Sequence, residues 1–196
     1  MKNFTPKEFS LPELKGISAK NIEEHLKLYK GYVTNANAIL GHIATYQNNP
    51  EFDYLLKETH RRFSFEWNGM NNHEHYFGAL EGGSQEINTD GDLYKKITED
   101  FGSFDQWLTS FKSLALTRGV GWAMLYFDYN HDTLLNVWVD EQHMGQLSEA
   151  KIILALDMWE HAYVYDYPTS EKKKYIDAFF ENLNWSVVEE NFKKTV

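Results

Sequence analysis

The sequence predicts an α+β protein, in which an N-terminal α-helical hairpin lobe precedes a C-terminal lobe with a three-stranded antiparallel sheet and flanking helices. Apolar residues recur at helical spacing through the first part of the chain. Between residues 121 and 157, three short runs rich in Val, Ile, Leu, Trp and Tyr alternate with turn residues, which is typical of strands. A polar, glycine-containing tract separates the two patterns. We therefore predict a helical hairpin domain over 1–86 and an α/β domain over 87–196.

The first lobe is predicted to hold three helices. The first covers about 18–47, with Ser18 as a plausible N-cap and apolar residues at helical spacing behind it. The second covers about 51–65, and the third begins near Asn71 and ends at Leu80. The segment Glu81-Gly82-Gly83-Ser84 is expected to break that third helix.

The second lobe is predicted to open with two helices, over 91–101 and 103–118, with Ser103 as the cap of the second. Strands follow, and Asn130-His131-Asp132 reads as a hairpin turn between the first two. A last helix is predicted over 170–183. The predicted strands cover residues 121–129, 133–139 and 151–157.

Composition limits the classes of function. The chain has 196 residues, of which 42% are hydrophobic and 16% aromatic, so a substantial core is available. It contains no cysteine, which excludes disulfides, thiolate metal sites and iron–sulfur clusters and fits a cytoplasmic location. A net charge of −10 opposes nucleic acid or an anionic membrane as a partner. The sequence shows neither a signal-peptide core at its N-terminus nor an apolar run of about 18 residues.

Candidate metal ligands stand in aromatic surroundings. Asp157 and His161 lie four residues apart within a run of bulky aromatic residues. Carboxylate and neutral imidazole are good ligands for a redox-active first-row metal. His25 shares a predicted helix face with Tyr32, seven residues on. Taken alone, each of these histidines also fits a core residue whose hydrogen bonds are satisfied within the fold.

A further imidazole comes from the segment that contains His73 and His75. Residues two apart do not share a helix face, so only one of them can point inward. His73 is the better candidate because Phe77 and Leu80 follow it at helical spacing. His42, His60 and His131 stand in polar or turn-like contexts, and we expect solvent or structural roles for them.

Other catalytic motifs are missing from the sequence. The metalloprotease pattern His-Glu-x-x-His fails because Phe77 stands where the second histidine belongs. The chain has no histidine with a glutamate three residues before it, which excludes the ferritin-type di-iron pattern. It also lacks a Walker loop, Gly-x-Gly-x-x-Gly and Gly-x-Ser-x-Gly.

Taken together, these residues resemble the iron/manganese superoxide dismutase family, and the resemblance runs over nearly the whole chain. The family's C-terminal signature, Asp-x-Trp-Glu-His-Ala-Tyr, is intact from Asp157 to Tyr163. Its other segments also match. These are Phe101-Gly102-Ser103-Phe104, Gly119-Val120-Gly121-Trp122 and Leu183-Asn184-Trp185.

The resemblance implies an enzyme that disproportionates superoxide to dioxygen and hydrogen peroxide. It implies one manganese or iron ion per subunit, with ligands from four residues. These are His25, His73, Asp157 and His161. It also implies an aromatic wall from Trp122 and Trp159, with Phe77 in place of the family's usual tryptophan.

The same resemblance places three further residues beside the metal. Tyr32 corresponds to the tyrosine at the substrate funnel, and Gly69 with Gln142 looks like the arrangement of manganese-type members. A hydrogen bond from Gln142 would tune the reduction potential of the metal. We therefore favour manganese, with iron or use of both metals as the alternative. His143 adjoins Gln142, so a shift of one residue would exchange the glutamine for a histidine.

The first helix departs from the family pattern, in which a second histidine and the tyrosine follow the ligand histidine. This chain is one residue shorter here, and Tyr29 stands at the place of that second histidine. The seven residues from His25 to Tyr32 suit a regular helix, whereas the family's eight need a local bulge. We predict that the bulge is lost. The family's hydrogen-bond relay to a tyrosine of the partner subunit must then differ, with Tyr29 as a partial replacement.

Two further implications concern the dimer and the substrate. In the family, the glutamate that matches Glu160 reaches the ligand histidine of the partner subunit, so the resemblance implies a homodimer, with a tetramer also open. Tyr163 would lie at that interface. Lys172 begins a basic run and reads either as a solvated helix start or as a residue that steers superoxide. The alternative function is a non-catalytic or detuned metal-binding member of the same fold.

Overall fold

The computed structural model describes residues 3–194. Residues 1–2 and 195–196 lie outside the described range. The first two residues of the N-terminal segment assessed for a signal peptide, and the outer ends of both predicted domains, therefore lie outside it as well. Helix α1 (Ala19–Tyr46) begins where the Ser18 hydroxyl accepts a hydrogen bond from the Asn21 amide, as predicted. It is α-helical without interruption, which agrees with a lost bulge.

The first lobe contains one long second helix rather than two shorter ones. Helix α2 (Asp53–Gly78) follows a short 3₁₀ turn at Pro50–Phe52, and the predicted break between Phe65 and Asn71 is wrong. The interval between the two predicted helices contains Gly69, a residue of low helix propensity. The glycine costs about 1 kcal/mol of helix propensity, but packing against α1 compensates for it.

The second lobe follows the predicted order. Helices α3 (Asp92–Phe101) and α4 (Phe104–Ala115) come first, and the Ser103 hydroxyl caps α4 by accepting from the Gln106 amide. Strands β1 (Gly121–Asp128), β2 (Thr133–Asp140) and β3 (Ala150–Asp157) form an antiparallel sheet in the order β2-β1-β3. The predicted turn between β1 and β2 contains Asp132 in a left-handed conformation, with φ of 50°.

The chain ends in two helices, of which the sequence analysis predicted one. Helix α5 (Lys172–Asn182) follows a 3₁₀ turn at Thr169–Glu171. Helix α6 (Trp185–Lys193) was missed, although Asn184 is a recognisable cap whose side chain accepts from the Ser186 amide. None of the helices in residues 3–194 is long and apolar enough to cross a membrane.

The core joins the two lobes. β1 is the central strand, and its residues from Gly121 to Phe127 are buried. α2 packs against β3. Behind this contact, the hydroxyl of Tyr175 on α5 donates to that of Tyr76 on α2 over 3.2 Å. The C-terminal end of β3 therefore meets α1 and α2 at a buried junction, where Asp157 lies.

Candidate metal centre

Four predicted ligands converge on one point. His25 comes from α1, His73 from α2, Asp157 from the end of β3 and His161 from the 3₁₀ turn Glu160–Ala162. The Nε2 atoms of His25 and His161 each lie 3.1 Å from Asp157 Oδ2, and that of His73 lies 3.5 Å away. One donor atom from each of the four residues lies within 4.8 Å of the others. Such a set of nitrogen and oxygen donors can bind a first-row metal ion.

The turn after β3 brings Asp157 and His161 together. The Met158 amide donates to the Gly121 carbonyl oxygen at the start of β1, which fixes the end of β3. The Trp159 amide then donates to Asp157 Oδ1 over 2.9 Å, so that Oδ2 faces the histidines. The 3₁₀ turn that follows returns His161 to the same carboxylate.

Burial keeps the imidazoles of His25 and His73 neutral. His25, His73 and Asp157 are fully buried, whereas the His161 side chain is 19% exposed. Burial lowers the pKa of His25, and burial together with the neighbouring His25 lowers the pKa of His73 to about 3. Burial alone would raise the pKa of Asp157, but the facing His161 and His25 bring it well below its ordinary value. His25 and His73 therefore offer unprotonated nitrogens, and Asp157 offers a carboxylate, at neutral pH.

The tautomer of His73 fits a metal ligand. Its Nδ1–H donates to the Gly69 carbonyl oxygen over 2.6 Å, which leaves the lone pair on Nε2. Within residues 3–194, His73 Nε2 is buried without a hydrogen-bond partner. A buried acceptor without a partner is costly, and a cation between the three imidazoles and the carboxylate would satisfy it. The residues present therefore fit a manganese or iron ion.

A carboxamide stands beside the ligands. Gln142 is fully buried; its Oε1 accepts from Trp122 Nε1 over 2.9 Å, and its Nε2 donates to the Tyr32 hydroxyl over 3.0 Å. Gly69 makes room for this arrangement, because a Cβ there would lie 2.4 Å from the Tyr32 ring. The structure thus places the predicted pair, Gly69 and Gln142, on either side of Tyr32. His143 points elsewhere and contacts the Phe65 ring.

Aromatic rings surround the imidazoles. The Trp122 ring meets His73 edge-on at 5.0 Å, and the Trp159 ring stacks on His161 at 5.7 Å. Phe77, which stands in place of a tryptophan, packs edge-on against His25 at 4.9 Å. These rings exclude water from the ligands and hold the imidazole planes in place.

A cavity of about 480 Å³ opens beside Tyr32, on one side of the centre. Leu28, Arg62, Phe65 and Trp159 are among its lining residues. Arg62 lies 3.6 Å above the centre of the Phe65 ring, and its Nε donates to Glu66 Oε1 over 2.9 Å. The opening therefore carries the cation of Arg62, paired with Glu66, close to Tyr32, and Glu24 and Lys27 also line it.

Tyr29 lies behind the centre rather than at this opening. It is fully buried; its hydroxyl accepts from the Lys7 amide over 2.7 Å and donates to Glu74 over 3.1 Å. Burial raises the pKa of Tyr29 to about 12. Leu28, one residue earlier, lines the opening instead. The structure therefore does not bring Tyr29 to the place that its predicted relay role requires.

The remaining predicted residues lie outside the ligand set. Glu160 is exposed next to His161, and Tyr163 packs against Tyr175 with ring centres 5.3 Å apart. The Lys172 amino group donates to the Thr117 carbonyl oxygen over 3.0 Å, and Lys172 does not line the opening beside Tyr32.

Sequence reasoning missed three residues close to the centre. Arg62 at the opening gave no signal beyond a basic residue on a predicted helix. Asn72 is fully buried and donates to the Gln142 carbonyl oxygen over 3.0 Å. Gln146 contacts both Asn72 and Gln142. A polar residue next to a predicted ligand, as Asn72 is next to His73, was the one available clue.

Comparison with known proteins agrees with this geometry. A family model described as iron/manganese superoxide dismutases, C-terminal domain, matches residues 89–191. Superoxide dismutase (Fe) of Aquifex aeolicus (strain VF5) is 35% identical over 202 residues, covering 97% of this chain and 92% of that protein. Superoxide dismutase (Fe) of Cupriavidus metallidurans is 34% identical over 188 residues, with coverages of 94% and 92%. Superoxide dismutase (Mn) of Haloarcula marismortui is 43% identical over 107 residues, with coverages of 55% and 52%.

Proposed function

The chain belongs to the iron/manganese superoxide dismutase family, and from this premise we propose that it acts at one metal ion per subunit, held by the four converging residues described above. The protein is an enzyme that converts two superoxide ions and two protons into dioxygen and hydrogen peroxide. The observation that carries the proposed site is the convergence of three imidazole nitrogens on Asp157 Oδ2, at 3.1 to 3.5 Å.

The residues divide the work between binding the metal and handling protons. When bound, manganese or iron supplies one-electron chemistry by alternating between two oxidation states. The three imidazoles and the carboxylate would hold it. Burial raises the pKa of Tyr32, so that its hydroxyl stays protonated at neutral pH. That hydroxyl accepts from Gln142 and stands at the opening, where it can donate its proton outward.

Manganese is the metal that we favour, with iron or use of both metals as the alternative. The support is the position of Gln142, which reaches Tyr32 and Trp122 from the second lobe, opposite a glycine at position 69. Hydrogen bonds beside a metal tune its reduction potential. Relatives named for iron and for manganese both match the chain, so their names do not decide between the metals.

We propose a homodimer in which Glu160 reaches the partner subunit's His161, with Tyr163 close to the same interface. The support is the exposed carboxylate of Glu160 next to a ligand that is itself partly exposed. Three further statements stay predictions. They are the association of two dimers into a tetramer, the division into domains between residues 86 and 87, and a cytoplasmic location.

The proposed function is tested by elemental analysis of the purified protein, followed by superoxide dismutation assays after reconstitution with manganese or iron separately. We expect about one equivalent of metal per chain and the higher turnover with manganese. Activity with iron alone would overturn the assignment of manganese and leave the ligands in place. Metal binding without turnover in either form would favour the detuned metal-binding member. Failure to bind either metal would contradict the site itself.

A further inference from the structure

We infer that Gln146 is a positioning residue for the metal centre. Its side chain fixes the backbone at Gln142, and through that backbone it sets the position of the Gln142 carboxamide and the reduction potential of the bound metal. The inference deepens the proposed function and rests on it, because it concerns the carboxamide that stands beside the metal in that proposal.

Hydrogen bonds connect Gln146 to the centre on three sides. Its Nε2 donates to Asn72 Oδ1 over 3.0 Å and to the Gln142 carbonyl oxygen over 3.3 Å. Its Oε1 accepts from the hydroxyl of Tyr126 on β1. Asn72 completes the network, since its Nδ2 donates to the same Gln142 carbonyl oxygen over 3.0 Å. Gln146 thus ties the loop after β2 to the buried faces of both α2 and β1.

The loop that carries Gln142 holds one residue in an unfavourable backbone conformation, and Gln146 is among the contacts that hold the loop. Glu141, the residue immediately before Gln142, has φ of 50°, a left-handed conformation that is unfavourable for a residue with a Cβ. Conformations of this kind persist only where surrounding contacts impose them. The Glu141 amide donates to the Val120 carbonyl oxygen on one side of Gln142. Gln146 and Asn72 hold the carbonyl on the other side.

A small displacement of this backbone is enough to alter the centre. The Gln142 side chain bridges Trp122 and Tyr32 at 2.9 and 3.0 Å, close to the most common N–H···O distance of about 2.9–3.0 Å, so a shift of its backbone moves both bonds away from their best geometry. Outer hydrogen-bond partners change the affinity or activity of metal sites by about 10- to 100-fold. Loss of the Gln146 contacts should therefore act through Gln142, although Gln146 lies outside the ligand set.

The test compares four variants of the full-length, manganese-loaded protein by redox titration against a mediator of known potential. Gln146→Leu removes the carboxamide at similar volume. Tyr126→Phe removes the hydroxyl that donates to Gln146, together with its contacts to the Met124 sulfur and the Leu147 backbone. Gln142→Leu is the positive control. Asn136→Ala is the matched control, because it removes a hydrogen bond of 3.0 Å to Trp107 in the same lobe and leaves the loop untouched.

We expect Gln146→Leu to shift the equilibrium constant for metal reduction at least tenfold, which is about 59 mV for one electron. Tyr126→Phe should shift this constant about threefold in the same direction. Asn136→Ala should lower the melting temperature about as much as Gln146→Leu does and leave the constant unchanged. These readouts separate positioning from stability. If Gln146→Leu does not fold, Tyr126→Phe decides, and no shift in it would overturn the inference.

Two results would contradict the inference. A constant within twofold of wild type in Gln146→Leu, with at least a tenfold shift in Gln142→Leu, would make Gln146 a structural residue only. An unchanged constant in both would refute the tuning role of Gln142 and this inference with it. In that second case, dismutation by the wild-type manganese protein would still uphold the proposed function, so the two failures are distinguishable.

Discussion

The two sides of the metal centre are built differently. The enclosed side, toward β1 and the loop after β2, is a network of buried side chains and the half-buried Gln146, in which hydrogen bonds connect every member. Its members are Trp122, Gln142, Asn72 and Gln146. The open side is a cavity of about 480 Å³ with an ion pair and partly exposed apolar residues. Its members are Leu28, Tyr32, Arg62 and Phe65. This difference indicates that the enclosed side tunes the chemistry of the bound metal, whereas the open side controls what reaches it.

The largest effect is expected from the carboxylate on which the imidazoles converge. Asp157→Asn removes the negative charge that faces all three Nε2 atoms. We expect metal affinity to fall by about 100-fold or more, measured by elemental analysis after dialysis. Asp140→Asn is the control, since its exposed carboxylate binds Trp138 outside the ligand set. Metal retention by Asp157→Asn equal to that of the control would refute the centre.

A matched pair of glycines tests the junction of the two sides. In Gly69→Ala the new Cβ would lie 2.4 Å from the Tyr32 ring, so the ring must shift, which disturbs the hydrogen bond that Tyr32 accepts from Gln142. We expect kcat to fall about tenfold, a loss comparable to that of one outer partner of a metal site. On the same helix, Gly78→Ala meets no atom within 4 Å and should raise stability by about 0.5–1 kcal/mol. Equal kcat in the two variants would show that the position of Tyr32 is unimportant.

Substitution of Tyr29, which stands at the place of the family's second histidine, separates a structural role of its hydroxyl from a role as proton relay. Its pKa is raised to about 12 in the folded state, against about 10 unfolded, so its contribution to stability is complete below pH 10 and is lost as the pH rises through 12. Tyr29→Phe should lower stability at pH 7 by about 1–2 kcal/mol through two lost hydrogen bonds. It should also flatten the alkaline loss of stability, as followed by denaturant unfolding at several pH values.

The control for Tyr29 is Tyr54→Phe, at a position that is 79% exposed and away from the centre. The same two variants should keep the wild-type pH profile of kcat. If Tyr29→Phe instead changed that profile and Tyr54→Phe did not, Tyr29 would be a proton relay after all, as the sequence analysis expected.

The smallest effect is expected on the open side, where charge acts on the encounter with the substrate. Arg62→Gln should lower kcat/KM two- to fivefold at low ionic strength, and the difference should vanish near 0.2 M salt, because screening removes long-range attraction. Arg61→Gln is the matched control: Arg61 pairs with Glu58 on the same helix and does not line the opening. Lys172→Gln should have less effect than Arg62→Gln, since Lys172 binds the Thr117 carbonyl oxygen.

The salt dependence separates the two sides. Variants of the enclosed side should change kcat and keep the wild-type slope of kcat/KM against ionic strength. Should Arg61→Gln and Arg62→Gln behave alike, steering by the open side would have no support. A larger effect of Lys172→Gln would restore the steering role that the sequence suggested for it.

The sequence predicted the ligands, together with Trp122 and Gln142 of the enclosed side. The signature from Asp157 to Tyr163 identified two ligands, and His25 and His73 followed from helix periodicity together with the resemblance. Strand positions were predictable because runs of β-branched and aromatic residues are bounded by turn residues. The break in α2 was predicted wrongly because local propensity disfavours Gly69, whereas tertiary packing against Tyr32 decides its conformation.

The open side was harder to predict for a geometric reason. Neighbouring helix positions differ by about 100° in direction, so one residue of altered spacing decides whether Leu28 or Tyr29 faces the cavity. Sequence alone did not give the rotation of α1. On the enclosed side, Gln146 could not be identified from the sequence either, because its role depends on a loop whose side chain contacts Asn72 only in the folded chain.

The most direct test of the central claim is an anomalous X-ray diffraction map of the manganese-loaded protein, recorded at the manganese absorption edge. The account predicts one peak per chain at about 2.0–2.3 Å from the Nε2 atoms of His25, His73 and His161 and from Asp157 Oδ2, with the Gln142 carboxamide on its enclosed side. A peak at any other set of residues, or no peak between these four in a fully loaded protein, would contradict it.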